Sequence, residues 1–129
     1  MFHLKRAYDP ASSEDGCRVL VERLWPRGVS KSRAKIDAWL RDVAPSAELR
    51  KWYGHDPERW EEFRRRYWGE LRSNPQAVQE LRAKERRGNV TLVYATHDAE
   101  HSGALALQQF LIRHKARRRA AAPGPRVRR

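Results

Sequence analysis

The sequence predicts a small α/β domain of three layers, in which a short, mostly parallel sheet of about three strands is flanked by about five helices. Two observations carry this prediction. Apolar, β-rich runs at residues 2–8, 18–24 and 89–95 have the length and composition of strands. A long stretch with helical spacing separates the second run from the third, and such crossovers join parallel neighbouring strands.

The first two strands are bounded by turn-forming residues. Residues 9–16 contain Asp, Pro, Ser and Gly, so they are predicted to form a loop. The second strand leads into residues 25–28, Trp-Pro-Arg-Gly. Proline at the second position and glycine at the fourth suit a type I turn.

The helical middle of the chain begins with an apolar face. Ile36, Trp39, Leu40 and Val43 recur at helical spacing, and Pro45 marks the predicted end of this first helix. Side chains suited to N-caps predict where the later helices begin. They are Ser46, Asp56, Asn74 and Asp98, with the last helix predicted over residues 99–114.

The length and composition fit one cytoplasmic domain. The chain has 129 residues, 40% of them hydrophobic, and is long enough to bury one core. The N-terminus lacks the apolar core of a signal peptide, and no apolar run approaches the roughly 20 residues that span a bilayer. We therefore expect no membrane association. Cys17 is the only cysteine, which favours a reducing compartment and a small strand residue over a catalytic thiol.

The basic charge is uneven along the chain. The net charge is +12, and residues 113–129 supply +8 of it because they hold eight Lys and Arg and no acid. We interpret residues 1–112 as the folded domain and residues 113–129 as a basic, disordered tail.

Cationic and aromatic residues predict an anion site at one edge of the sheet. Arg23 and Arg27 follow the second strand, and ligands of open α/β sheets bind where the strands' carboxyl ends meet. The competing interpretation is that Arg23 pairs with an acid while Trp25 and Pro26 only pack. The candidate ligand-binding residues are Arg23, Trp25, Arg27, Gly28, Arg50, Tyr53, Tyr94 and Asp98.

Histidines are the candidate acid–base residues. His101 is the first choice and His55 the second, because an imidazole titrates near neutral pH. His97 and His101 have the spacing of a metal-binding pair, but no third ligand is evident, so no metal site is predicted. There is no glycine-rich phosphate loop, and no cofactor is predicted.

Several segments together resemble one family. They are residues 5–9 (KRAYD), 18–31 (RVLVERLWPRGVSK), 44–57 (APSAELRKWYGHDP) and 90–95 (VTLVYA), with His101. They resemble the YeaO-like proteins of the domain-of-unknown-function 488 (DUF488) superfamily over roughly residues 2–112. The resemblance implies a compact cytoplasmic α/β fold with a shared polar constellation. This chain departs from the family pattern at Glu22 (usually Asp), His97 (commonly Lys or Arg) and Ser102 (usually Asn).

Two functions remain as hypotheses, beside a third in which tryptophans form a protein interface. The leading one is a ligand-binding or enzyme-like domain for a small anionic compound, such as a phosphorylated one, with no reaction assigned. The alternative is a nucleic-acid-associated accessory protein, since several arginines can bind phosphates nonspecifically. The arginines of this alternative are Arg64, Arg65, Arg66, Arg117, Arg118 and Arg119. The oligomeric state is left open.

Overall fold

A four-stranded parallel sheet forms the centre of the fold. Its strands are β1 (Phe2–Arg6), β2 (Cys17–Leu20), β3 (Ala38–Trp39) and β4 (Val90–Tyr94), in the order β1-β4-β2-β3. The structure, a computed structural model, describes the backbone of residues 1–121 and the side chains of residues 1–114.

The predicted α/β class and the parallel pairing of the two most apolar strands are confirmed. β2 and β4 are parallel neighbours, with Leu20 opposite Val93. All five residues of β4 are buried, as expected for a central strand covered on both faces. β2 ends at Leu20, earlier than the predicted residue 24. The residues that follow it are therefore outside the strand and can line a site.

The helix predicted from Ile36 to Val43 is wrong. Ala38 and Trp39 form the short strand β3, and the Leu40 N–H donates to the Leu20 carbonyl at 3.0 Å. Ile36 and Trp39 pack on one face of the sheet, whereas Val43 belongs to the core on the other. The apolar residues at helical spacing therefore belong to a segment that crosses the edge of the sheet and contributes side chains to both of its faces.

Within residues 1–121, five helices surround the sheet, together with several single turns of 3-10 helix. Ser46 caps α2 by accepting the Leu49 N–H at 3.1 Å, as predicted, and Asp56 caps the turn that precedes α3. Asn74 makes no side-chain cap at α4, because its amide donates to the Asp42 carbonyl at 3.1 Å. The helices are α1 (Lys31–Ala34), α2 (Ala47–Tyr53), α3 (Trp60–Arg72), α4 (Pro75–Glu85) and α5 (Gly103–Ala121).

The last helix begins later than predicted. Asp98 caps a separate 3-10 turn (Ala99–His101), and Ser102 then adopts an extended conformation with φ −92° and ψ 153°. The Ser102 hydroxyl accepts the Leu105 N–H at 3.0 Å and so caps α5. The N-terminus of α5 is therefore not occupied by a carboxylate. None of the described helices is long and apolar enough to cross a membrane.

The predicted basic tail overlaps the end of the fold. Residue 112, the predicted domain boundary, lies inside α5, and residues 122–129 lie outside the described residues. Arg117, Arg118 and Arg119 fall where side chains are not described.

The core lies mainly on one side of the sheet. α2, α3, α4 and α5 pack there around fully buried Phe63, Tyr67 and Leu107. The other face is covered by the segment between β2 and β3, whose Trp25 ring meets the ring of Trp39 in β3 edge to face at 5.5 Å. With both faces closed, the carboxyl edge of the strands is the place where polar side chains gather.

Candidate functional site

An open cleft of about 610 Å³ lies at the carboxyl ends of β1, β2 and β4. Residues that directly follow these strands form its inner wall, and the region around α2 and the start of α5 form the outer wall. This is the edge at which the sequence predicted a site. The polar lining residues are Tyr8, Glu22, Arg50, Tyr53, His55, Thr96, His97, Asp98, His101 and Ser102.

α2 and the residue pair after it supply the cationic wall. Arg50 is exposed and lines the cleft, and its guanidinium makes no hydrogen bond or ion pair with any residue that the structure describes. α2 ends at Gly54, and His55 follows in the left-handed region at φ 58°. This tight reversal brings His55 back to the cleft. Arg50, predicted to bind a ligand, and His55, predicted to act as an acid–base residue, thus line the same wall of the cleft.

His101 is held in place by two partners from different elements. Its Nδ1 lies 2.8 Å from Oδ2 of Asp98, and its backbone carbonyl accepts the hydroxyl of Tyr53 at 2.8 Å. The ring also meets Trp60 edge to face at 5.6 Å. Burial, with the nearby charges of Asp98 and Asp56, raises the pKa of Tyr53 to about 12. Tyr53 is therefore a neutral hydrogen-bond donor at physiological pH.

Glu22 is a cleft residue that the predicted site omitted. Its Oε2 accepts the N–H of Ala95 at 3.0 Å, so the carboxylate ties the end of β4 to the segment after β2. Burial raises the pKa of Glu22, while the Ala95 hydrogen bond and the charges of Arg50 and His55 oppose that shift. Its position directly after the apolar run of the second strand was the sequence signal that could have identified it as a site residue.

Arg23 points away from the cleft. Its guanidinium donates to the carbonyls of Pro45 (Nε, 2.9 Å) and Ala44 (Nη2, 3.4 Å) and does not line the cleft. It fixes the loop before α2 through these backbone carbonyls and has no acidic partner among the described residues. Glu22 therefore lines the cleft, whereas its neighbour Arg23 is held by backbone carbonyls outside it.

The Trp-Pro-Arg-Gly turn also lies outside the cleft. The Trp25 indole donates to the Val29 carbonyl at 2.6 Å and packs on Trp39, and the Arg27 side chain is exposed. The turn starts one residue later than predicted, because the Val29 N–H donates to the Pro26 carbonyl at 3.4 Å. Gly28 takes the third position at φ 78°, which type II requires, so the predicted type I turn is wrong.

Two further predicted groups do not contribute to the cleft. Tyr94 is 5% exposed and belongs to the core, and burial raises its pKa. Arg64, Arg65 and Arg66 each pair with a carboxylate of α3, at N–O distances of 2.6, 2.6 and 2.7 Å. Arg65 and Arg66 share Glu62, so these three arginines are paired with two carboxylates on the surface of α3. The part of the chain with described side chains contains no group of three His, Cys, Asp or Glu suited to a metal ion.

Fold and cleft define the class: a small α/β domain with a polar site at the carboxyl edge of a parallel sheet. A family model described as the inactive DUF488-N3 subclade matches residues 1–127. The chain belongs to the YeaO-like DUF488 family.

Two relatives show the extent of this similarity. The uncharacterized protein Rv3073c of Mycobacterium tuberculosis H37Rv is 46% identical over 106 residues, which cover 82% of this chain and 89% of the relative. The uncharacterized protein YeaO of Escherichia coli K12 is 37% identical over 107 residues, 83% of this chain and 93% of YeaO. No solved structure matches the chain at a significant level.

Proposed function

We propose that the cleft binds a small anionic compound and that Arg50 is its principal cation. The observation that carries the proposal is that Arg50, on the wall of a cleft about 610 Å³ in volume, makes no hydrogen bond or ion pair with any described residue and acts on Glu22 through its charge alone. A guanidinium offers a planar fork of donors to a carboxylate or phosphate. His55 lines the same cleft and makes no ion pair with a described side chain.

The start of α5 supports the same proposal. Gly103 and Ala104 line the cleft, and the first N–H groups of a helix have no partner within the helix. The Ser102 cap uses the N–H of Leu105 and leaves those of the first two residues for a ligand. The partial positive charge of a helix N-terminus favours an anion at this place.

The proposed role is binding, with His101 as a ligand contact. The Asp98–His101 pair has the geometry of an oriented acid–base group, with 2.8 Å between Oδ2 and Nδ1. The matching family model is described as an inactive subclade, which supports binding without turnover for this chain. We assign no reaction to the pair.

The proposal is tested by ligand binding to two matched arginine variants of the full chain. Calorimetric titrations with inorganic phosphate and sn-glycerol 3-phosphate would compare the wild type with Arg50→Gln and Arg27→Gln. Arg27 is the control because it is exposed and lies outside the cleft. Loss of one charge-assisted contact should weaken binding at least about tenfold in Arg50→Gln.

The control variant also separates the two locations of the anion site. If the cleft binds the anion, Arg27→Gln keeps the wild-type dissociation constant. If Arg27→Gln loses affinity while Arg50→Gln keeps it, the site is at the Trp-Pro-Arg-Gly turn and the proposal is wrong.

A further inference from the structure

The cleft is lined by two carboxylates, and only Glu22 has an oxygen without a hydrogen-bond partner among the described residues. Both oxygens of Asp98 are used: Oδ1 accepts the Glu100 N–H at 3.2 Å, and Oδ2 contacts His101 at 2.8 Å. Glu22 uses Oε2 for the N–H of Ala95 at 3.0 Å. Its Oε1 has no hydrogen-bond partner in the described part of the chain, and Glu22 lines the cleft.

The charges around Glu22 decide what this free oxygen can accept. Arg50 and His55 are close enough to act electrostatically on its carboxylate. The Arg50 guanidinium would repel a ligand ammonium at Glu22 and would attract the anionic group of the ligand. A neutral donor such as a hydroxyl meets no such repulsion, and a hydrogen bond to an ionised acceptor is strong.

We infer that Glu22 accepts a hydrogen bond from a hydroxyl group of the ligand, which is therefore a hydroxylated anion of the polyol phosphate class. This inference rests on the proposed anion site. Arg50 and the start of α5 would hold the anionic group, and Glu22 would distinguish hydroxylated ligands from unhydroxylated ones. A cleft of about 610 Å³ is large enough for a phosphate with a short carbon chain.

The test uses two phosphate monoesters that differ in their hydroxyl groups. sn-Glycerol 3-phosphate carries two hydroxyls on its carbon chain, and n-propyl phosphate carries none. Calorimetric titration of the wild-type chain should give a dissociation constant at least about tenfold lower for sn-glycerol 3-phosphate. The same titrations are made with Glu22→Ala, Glu22→Gln and the control Glu48→Gln, an exposed acid near the start of α2.

The variants should change the ratio of the two dissociation constants. In Glu22→Ala the ratio should fall below about threefold, since the acceptor is gone, and n-propyl phosphate should bind as well as before or better, since a negative charge is gone. Glu22→Gln, which can still accept the Ala95 N–H, should give an intermediate ratio and serves if Glu22→Ala does not fold. Glu48→Gln should keep the wild-type ratio.

The outcomes separate this inference from the proposal beneath it. If the wild type binds both esters equally, or if folded Glu22→Ala and Glu22→Gln keep the full preference, Glu22 does not read a hydroxyl and only the anion site stands. If neither ester nor inorganic phosphate binds the wild type, the anion site itself is wrong.

Discussion

Replacing Asp15 by alanine should strongly destabilise the fold without affecting the cleft. Asp15 is 7% exposed and lies before β2, at the end of the strands opposite the cleft. Its carboxylate accepts Arg18 Nη1 at 2.7 Å, Lys5 Nζ at 3.0 Å and the Ser12 N–H at 3.0 Å. It is the counter-charge of a buried guanidinium.

The expected magnitude follows from what remains after the substitution. Arg18 is 3% exposed, its Nη2 already has no hydrogen-bond partner, and only Nε would keep one, the carbonyl of Ala34 at 2.9 Å. Removing one partner of a buried ion pair costs about 3–5 kcal/mol, because the other charge stays buried. Lys5 is partly exposed and returns to water at little cost. The free energy of unfolding of small domains is about 5–15 kcal/mol, so the Asp15→Ala variant should be only marginally stable.

Urea unfolding at pH 7, followed by tryptophan fluorescence, measures this loss. Glu14→Ala is the matched control, since Glu14 is an exposed acid in the same turn and its loss should change the free energy of unfolding by less than about 0.5 kcal/mol. Combining Asp15→Ala with Arg18→Met removes the stranded charge and should recover part of the stability. A loss below about 1 kcal/mol in Asp15→Ala, or a double variant less stable than Asp15→Ala, would refute the reasoning.

Two further predictions concern the same end of the sheet. Burial would raise the pKa of Asp15, but hydrogen bonds from Lys5, the Ser12 backbone and Arg18 outweigh it and place the pKa below the usual 3.8. The contribution of Asp15 to the free energy of unfolding is therefore present above pH 3.8 and is lost as the pH falls through the lower, folded-state pKa. In urea titrations, the difference in free energy of unfolding between wild type and Asp15→Asn should become smaller between about pH 5 and about pH 2. A difference that stays constant over this range would contradict the prediction. Gly16→Ala should lower the free energy of unfolding by at least about 2 kcal/mol, because Gly16 has a φ of 66° and an added Cβ would lie 2.3 Å from the carbonyl oxygen of Asn89. Thermal unfolding measures this loss. An unchanged unfolding midpoint would contradict the prediction and show that the loop can shift.

The sheet and one wall of the candidate cleft were predictable because local sequence determined them. β2 and β4 are apolar runs bounded by turn residues, and a long helical crossover makes them parallel neighbours. Arg50, Tyr53 and His55 lie within six residues of one another, so one helix end delivers them to the same wall. Tertiary pairing decided β3, where Trp39 joins β2 by backbone hydrogen bonding in spite of its helical spacing.

The direction of side chains after β2 was not predictable from residue types. Arg23, Trp25 and Arg27 looked like an anion site because they follow a strand end. The structure instead uses Arg23 and Trp25 to hold carbonyl groups of neighbouring loops, at 2.9 Å and 2.6 Å. Glu22 lines the cleft, whereas the adjacent Arg23 does not and instead fixes the loop before α2. Residue types alone do not distinguish these two roles.

The most direct test of the central claim is an amide NMR titration of the 15N-labelled full chain with sn-glycerol 3-phosphate. If the anion binds in the cleft, the largest shifts should occur at residues 53–55 and 95–104, which surround Arg50 and the start of α5. Residues 25–28 and 64–66 should move little. Shifts concentrated at residues 25–28, or on the α3 arginines, would contradict the account and place the anion elsewhere.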